Sequence, residues 1–276
     1  MADYSNFTLF FTLFSRFCSK FSSNSTAVFA LTTILVLCIA GCQVPPPTDP
    51  YAPQVVTDLI ARPFLAGESV QNRPIEALIL GNGDDVIFIL ATIHGDEPAG
   101  TPLVERLSEY LMQNRYLLDN RKVIIVPVAN PDGLARRSRY NANGVDLNRN
   151  FAAANRVNKP KYGKSALSEP ESRIIEQMIN QYEPDRIITI HQPLACVDYD
   201  GPSLPLAVHM GRCCELPVRR IGAQPGSLGS YAGLTLNIPI ITLELKGQDS
   251  NLSSEELWDE YGAAILAAVT YPYRYK

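Results

Sequence analysis

A three-layer α/β domain with a largely parallel or mixed sheet is the fold class that this sequence predicts, and three observations carry that prediction. From Arg73 onward, apolar runs of strand length alternate with helical patterns, an order that builds a sheet covered by helices. The runs are rich in Ile and Val and nearly continuous, as strands buried on both faces are. At 276 residues and 46% hydrophobic content, the chain can bury a sizeable core, as one large domain or two small ones.

In chain order, the predicted strands are Ile75–Leu80, Val86–Ile93, Lys122–Ala129, Arg186–Ile190 and Pro239–Leu245. Helical patterns occupy Ala99–Gln113, Glu169–Gln181 and Ser254–Val269, the last announced by Ser253 or Ser254 ahead of acidic residues. A further helix starts near Leu204 and a short one near Ser227. The formal net charge of -4 gives no support for a nucleic-acid partner, which favours a basic face.

The first 42 residues differ from the rest. Arg16 and Lys20 precede the apolar run Ala27–Ala40, which is too short to span a bilayer, and Gly41-Cys42 follows directly. A positive flank, a short apolar core and small residues before a cut site form an export signal. The ending Ile39-Ala40-Gly41-Cys42 resembles the lipobox of bacterial lipoproteins, which makes Cys42 the expected lipidation site and membrane anchor. Residues 1–42 are therefore read as a lipoprotein signal and residues 43–72 as tether and lead-in, with five prolines in Gln43–Pro53 favouring extended chain. Residues 73–276 remain as the folded domain. The expected location is the periplasm, with Gln43 favouring the outer membrane; a start downstream of this segment predicts a cytoplasmic protein instead. Cys196, Cys213 and Cys214 remain after export, so Cys196 bonded to one of the other two and a reduced set are both open. No feature specifies an oligomeric state.

Open α/β sheets bind ligands at the carboxyl ends of their strands. VIFILATI is followed by His94-Gly95-Asp96-Glu97 and RIITI by His191, so two of the three histidines in the chain stand at expected strand ends. His94-x-x-Glu97 can turn both side chains toward one point, and His191 completes two His and one carboxylate. That protein set is common in catalytic zinc sites, where the fourth position stays open. Glu244, alone among apolar neighbours in IPIITLEL, is costly to bury without a partner or a wet cavity. Its expected place is the mouth of the site, as general base. Asn130-Pro131-Asp132-Gly133 is a turn signal, and the loop after it carries Arg136, Arg137, Arg139 and Arg149. Guanidinium groups grip carboxylates with paired hydrogen bonds, so this loop predicts an anionic ligand. His209 reads as structural.

HGDEPAG, NPDG, GVDLNRNF, ITIHQP and ITLEL, in this order, resemble the zinc carboxypeptidase family over roughly Ile75 to Lys276. The resemblance implies a mixed eight-stranded sheet with helices on both faces. It implies one zinc ion per chain on His94, Glu97 and His191, with Glu244 as general base. It further implies that Asn148 and Arg149 bind the substrate's terminal carboxylate, and that Arg139, with Arg137 close by as the alternative, stabilises the oxyanion. Tyr231 in GSYAG is the candidate for the family's mobile tyrosine. NANGVDLNRNF, HQPLACVDYDGP and PGSLGSYAG are closest to the short bacterial murein peptide amidases. The implied substrate is a murein peptide, cut at the γ-D-glutamyl to meso-diaminopimelate bond. The second amino group of diaminopimelate then needs an acid, which Asp198 or Asp200 can supply; alternatively these aspartates shape the turn before Gly201-Pro202. Rival readings are carboxypeptidase action on other peptides and acyl-amino-acid deacylation of the succinylglutamate desuccinylase or aspartoacylase type. The export signal argues against the deacylases. A non-enzymatic peptidoglycan-binding lipoprotein is opposed by the retention of all three ligands and Glu244.

Overall fold

A computed structural model describes residues 61–272. The predicted signal segment with Cys42 and the tether up to residue 60 lie outside the described residues. Seven strands form one mixed sheet: β1 (Ala61–Glu68), β2 (Pro74–Gly81), β3 (Asp85–Ala91), β4 (Arg121–Val126), β5 (Arg186–His191), β6 (Leu194–Asp200) and β7 (Ile240–Lys246). Their order across the sheet is β1-β2-β4-β3-β5-β7-β6. The central four are parallel and the outer pairings antiparallel.

Two expectations are corrected here. The sheet has seven strands among the described residues, not eight. The domain also begins before residue 73, because β1 pairs with β2 along its whole length. Both edge strands, β1 and β6, escaped the sequence pattern for the same reason. An edge strand needs no continuous apolar run; Leu65 of β1 is exposed, and β6 carries two aspartates.

Among the described residues, five α-helices flank the sheet: α1 (Gly100–Gln113), α2 (Pro131–Arg136), α3 (Pro170–Tyr182), α4 (Leu204–Gly211) and α5 (Ser254–Val269). Strand side chains alternate between faces, and here both faces are buried. Ile87, Ile89 and Ala91 of β3 join α1, α4 and α5 in one apolar cluster, through Leu103, Leu107, Leu206 and Ile265. Val86, Phe88 and Leu90 join α3 in a second, through Ile174, Ile175 and Ile179. The cap of α5 is the one its sequence announced. The Ser253 hydroxyl accepts from the Glu256 amide while the Glu256 carboxylate accepts from the Ser253 amide. The short helix expected near Ser227 is present, widened to a π-helical stretch over Ser230–Thr235.

Strand order positions the site. Because β3, β5 and β7 are adjacent and parallel, the carboxyl ends that deliver His94, His191 and Glu244 meet at one edge of the sheet.

Candidate metal centre

His191 ends β5 and Glu244 stands beside it in register on β7. On this face, the alternation that buries Ile187 and Ile240 continues through Thr189 and Thr242 to His191 and Glu244. The apolar surface of the second cluster thus turns polar as the strands leave the core. β3 turns sharply after Ala91, with Thr92 at φ +51° and the Glu97 amide donating to the His94 carbonyl. A positive φ is rare for a β-branched residue. It is held here by backbone bonds from Ala129 and Asn130 to the Ala91 and Thr92 carbonyls, and by the Thr92–Thr101 hydroxyl pair. Gly95 lies so close to Gly133 that a Cβ would stand 1.9 Å from the Gly133 carbonyl carbon. The Asn130 side chain caps α2 by accepting from the Gly133 amide, and it donates to the Ile93 carbonyl. The HGDE and NPDG segments are thereby locked together.

The three predicted ligands converge. His94 Nδ1 lies 2.8 Å from Glu97 Oε1, His191 Nδ1 2.8 Å from Glu97 Oε2, and the two Nδ1 atoms 3.2 Å from each other. All three residues are buried, and one ligand atom from each lies within 4.8 Å of the others. Two imidazole nitrogens facing each other across a carboxylate are a donor set that zinc satisfies and two neutral rings do not. Asp146 Oδ1, 3.1 Å from His94 Nε2, accepts its N–H and leaves Nδ1 free to ligate, the carboxylate–histidine arrangement of zinc sites. The Gln192 amide donates to Glu97 Oε2, and the Gln192 side chain ties this loop to Ala99 and Lys246. The residues fit a zinc ion.

Charge around the centre is strongly coupled. Burial opposes ionisation of Asp146, but the bond and charge of His94, with Arg139 and Arg149, lower its pKa to about 2. Burial likewise opposes ionisation of Glu97, and the two histidines overcome it, holding the carboxyl well below the usual range. Burial disfavours charge on His94, yet hydrogen bonds to Asp146 and Glu97 raise its pKa; a positive charge is favoured where the metal belongs. Glu244 is pushed up by burial, with the His191 charge and the Leu194 amide opposing.

A cavity of about 230 Å³ opens beside the cluster, lined by His94, Glu97, His191 and Glu244 together with Arg139, Asn148, Arg149, Asp198 and Asp200. Arg139 donates from Nη1 to Glu97 Oε1 at 3.2 Å and from Nε to Asp146 Oδ2 at 3.0 Å. Arg137 is exposed in a left-handed turn and does not line the cavity, so the structure favours Arg139 of the two. Asn148 accepts from the Leu228 amide, and fully buried Asn150 anchors the loop to Tyr162, Ser165 and Glu169. Tyr231 does not line the cavity; its ring stacks on Phe151 in the second cluster and its hydroxyl donates to Glu176. Asp146 and Gln192 were missed by sequence reasoning; the acid two residues before Asn148 was the only available signal. His209 packs on Tyr271, away from the cavity, and the three cysteines of the domain are free thiols.

Comparison with known proteins places these features in context. The zinc carboxypeptidase family profile matches residues 58–199. Murein peptide amidase A of Escherichia coli (strain K12) is 34% identical over 187 residues, covering 61% of this chain and 74% of the relative. Murein peptide amidase A of Vibrio campbellii is 31% identical over 224 residues, covering 74% and 87%. The crystal structure of murein-tripeptide amidase MpaA from Escherichia coli O157 superposes with a TM-score of 0.59 at 28% identity, covering 77% of this chain and 93% of that one. Carboxypeptidase A from Helicoverpa armigera, at 19% identity and a TM-score of 0.62 over 77% of this chain and 69% of that one, shares the fold.

Proposed function

This chain belongs to the zinc carboxypeptidase family, and from that premise we propose that it is a zinc-dependent amidase cleaving the γ-D-glutamyl to meso-diaminopimelate bond of murein peptides. The observation that carries the reading is one cavity holding the His94–Glu97–His191 cluster, a buried carboxylate at Glu244, and the Asn148–Arg149 pair. Zinc, when bound, supplies Lewis acidity toward water and the scissile carbonyl. His94, Glu97 and His191 would hold it, with Asp146 fixing the His94 ring. Arg149 and Asn148 orient the substrate by gripping the free carboxylate next to the scissile amide. Glu244, beside His191 and made more basic as a carboxylate by its burial, takes a proton from the attacking water and returns it to the leaving amine. Arg139, charged and already beside Glu97, stabilises the negative charge that grows on the carbonyl oxygen.

Incubation of the zinc-loaded full-length chain with L-Ala-γ-D-Glu-meso-diaminopimelate, with mass spectrometry of the products, tests this reading. Free diaminopimelate is the expected product, and Glu244→Gln lowers kcat by about 10²- to 10⁴-fold, the usual loss of a general base. A folded, zinc-replete wild type that releases none overturns the substrate assignment.

We further propose that the enzyme is a lipoprotein facing the periplasm, anchored through Cys42 to the outer membrane. The short apolar run Ala27–Ala40, the Ile39-Ala40-Gly41-Cys42 ending, Gln43 and the proline-rich stretch after it support this reading. Cys42→Ser is expected to abolish incorporation of labelled fatty acid and processing. Unchanged labelling and fractionation of the variant exclude Cys42 as the anchor.

A further inference from the structure

Arg139 and Asp146, which meet at 3.0 Å beside the metal cluster, flank a tight turn closed at Asn141 and Val145. The Asn141 amide donates to the Val145 carbonyl, and the Gly144 amide donates to the Asn141 carbonyl. The two arms of this turn deliver the Arg139 guanidinium and the Asp146 carboxylate to one point. With 35% of its side chain exposed, Arg139 is not held by packing alone.

Asn141 is 1% exposed and does not line the cavity. Its side chain nevertheless makes all four hydrogen bonds open to a carboxamide. Oδ1 accepts from the Asn143 and Val145 amides, both at 3.0 Å, which fixes the turn from inside. Nδ2 donates to Glu169 Oε2 at 2.8 Å and to Glu171 Oε2 at 3.2 Å. Both acids are buried where α3 begins. Each is anchored again elsewhere: Glu171 Oε1 accepts from the Val70 amide, and the Glu169 amide donates to Asn150 Oδ1. An ionised aspartate at position 141 has no donor, and a glutamine is one methylene too long, so the site asks for asparagine. A chain of paired groups thus runs from the head of α3 through Asn141 to the turn that carries Arg139.

We propose that Asn141 is a positioning residue for Arg139, tying its turn to the α3 carboxylates and so setting where the guanidinium stands relative to the scissile carbonyl. This deepens the amidase reading and rests on it for the role of Arg139 at the oxyanion.

Asn141→Asp is the sharpest variant, since it keeps both bonds that close the turn, loses both donors and faces two carboxylates with a third. kcat and KM for L-Ala-γ-D-Glu-meso-diaminopimelate are measured on the zinc-loaded full-length chain as wild type, Asn141→Asp, Arg139→Met and the double variant. Asn141→Asp is expected to lower kcat by about tenfold to a hundredfold, as a small misplacement of a catalytic group does, with KM changed by about twofold at most. KM is spared because Asn148 is held separately by the Leu228 amide. In the Arg139→Met background the same substitution should change kcat little, because its route to the substrate is gone. Asn141→Asp with Glu171→Gln, which restores a donor–acceptor pair in the reverse direction, recovers part of kcat. Where Asn141→Asp alone is too unstable to purify, Glu171→Gln weakens the same link from the α3 side and is held to the same outcomes. An equal loss of kcat in both backgrounds overturns the proposal, as does wild-type kcat in Asn141→Asp. The Arg139 Nε–H resonance in proton–nitrogen correlation spectra needs no substrate, and it is expected to shift in Asn141→Asp. If wild type cleaves no tripeptide, the amidase reading fails, and an unshifted Nε–H resonance by itself overturns the positioning role.

Discussion

Asp200 illustrates how a single side chain can carry a cost in the free protein. Burial, reinforced by the charge of Asp198, pushes its carboxyl up to about 6 from an ordinary value near 3.8. A carboxyl whose pKa is higher folded than unfolded holds its proton longer in the native state, so stability falls as pH rises through about 4 to 6. A rise of that size corresponds to about 3 kcal/mol at neutral pH. Asp200→Asn should therefore gain on wild type by about 2 kcal/mol between about pH 4 and about pH 7.5, read by urea unfolding at both. A constant difference across that range means that Asp200 is solvated. Asp146 shows the opposite case: a buried acid repaid by His94 and Arg139. Its role was not legible because an aspartate in a polar loop carries no mark of the ring it will meet.

Among the elements, turns matter to the site more than strands do. His94 reaches the cluster because β3 ends at Ala91, two residues before the apolar pattern does, and the chain turns at Thr92. That turn is braced by the contact of Gly95 with Gly133, where no Cβ fits. Gly95→Ala is expected to cost about 2 kcal/mol or more of stability and to weaken zinc retention against a chelator. Wild-type zinc retention in a folded Gly95→Ala protein shows that the brace does not act on the metal ligands. The central strands and the long helices were legible because an apolar period survives wherever both faces are covered. β1 and β6 were not, since β1 is largely open to solvent and β6 carries Asp198 and Asp200 among its apolar residues. The position of Tyr231 was not legible, because the π-helical stretch Ser230–Thr235 sets its ring against Phe151, far away in sequence.

Across the molecule, the two ends of the sheet serve different purposes. The carboxyl ends hold the cluster and cavity. At the other end, Asp85 of β3 and Arg186 of β5 make a buried, two-pronged ion pair at 2.6 and 2.9 Å. The same guanidinium also donates to the Ala268 and Val269 carbonyls, tying the end of α5 to the sheet. Arg186→Met leaves Asp85 buried with only Arg121 nearby, and is expected to cost about 3–5 kcal/mol in urea unfolding. Combining it with Asp85→Leu should cost less than the single change, because no charge is then stranded. A double variant no more stable than the single one means that the pair acts chiefly through the α5 carbonyls.

Local sequence was enough to specify the α/β class, the central strands, the long helices with the Ser253 cap, and the identity of His94, Glu97, His191 and Glu244. All of these follow from local periodicity or from polar residues placed where apolar strands end, and both kinds of signal are written along the chain. Folding in three dimensions was needed to make β3, β5 and β7 neighbours, which turns four residues spread over some 150 positions into one site. The same packing set Arg139 rather than Arg137 on the cavity wall, bonded Asp198 to the Ile221 amide, and laid Tyr231 against Phe151. Those choices turn on which buried group finds a partner across the sheet, and partners separated by tens of residues leave no local trace.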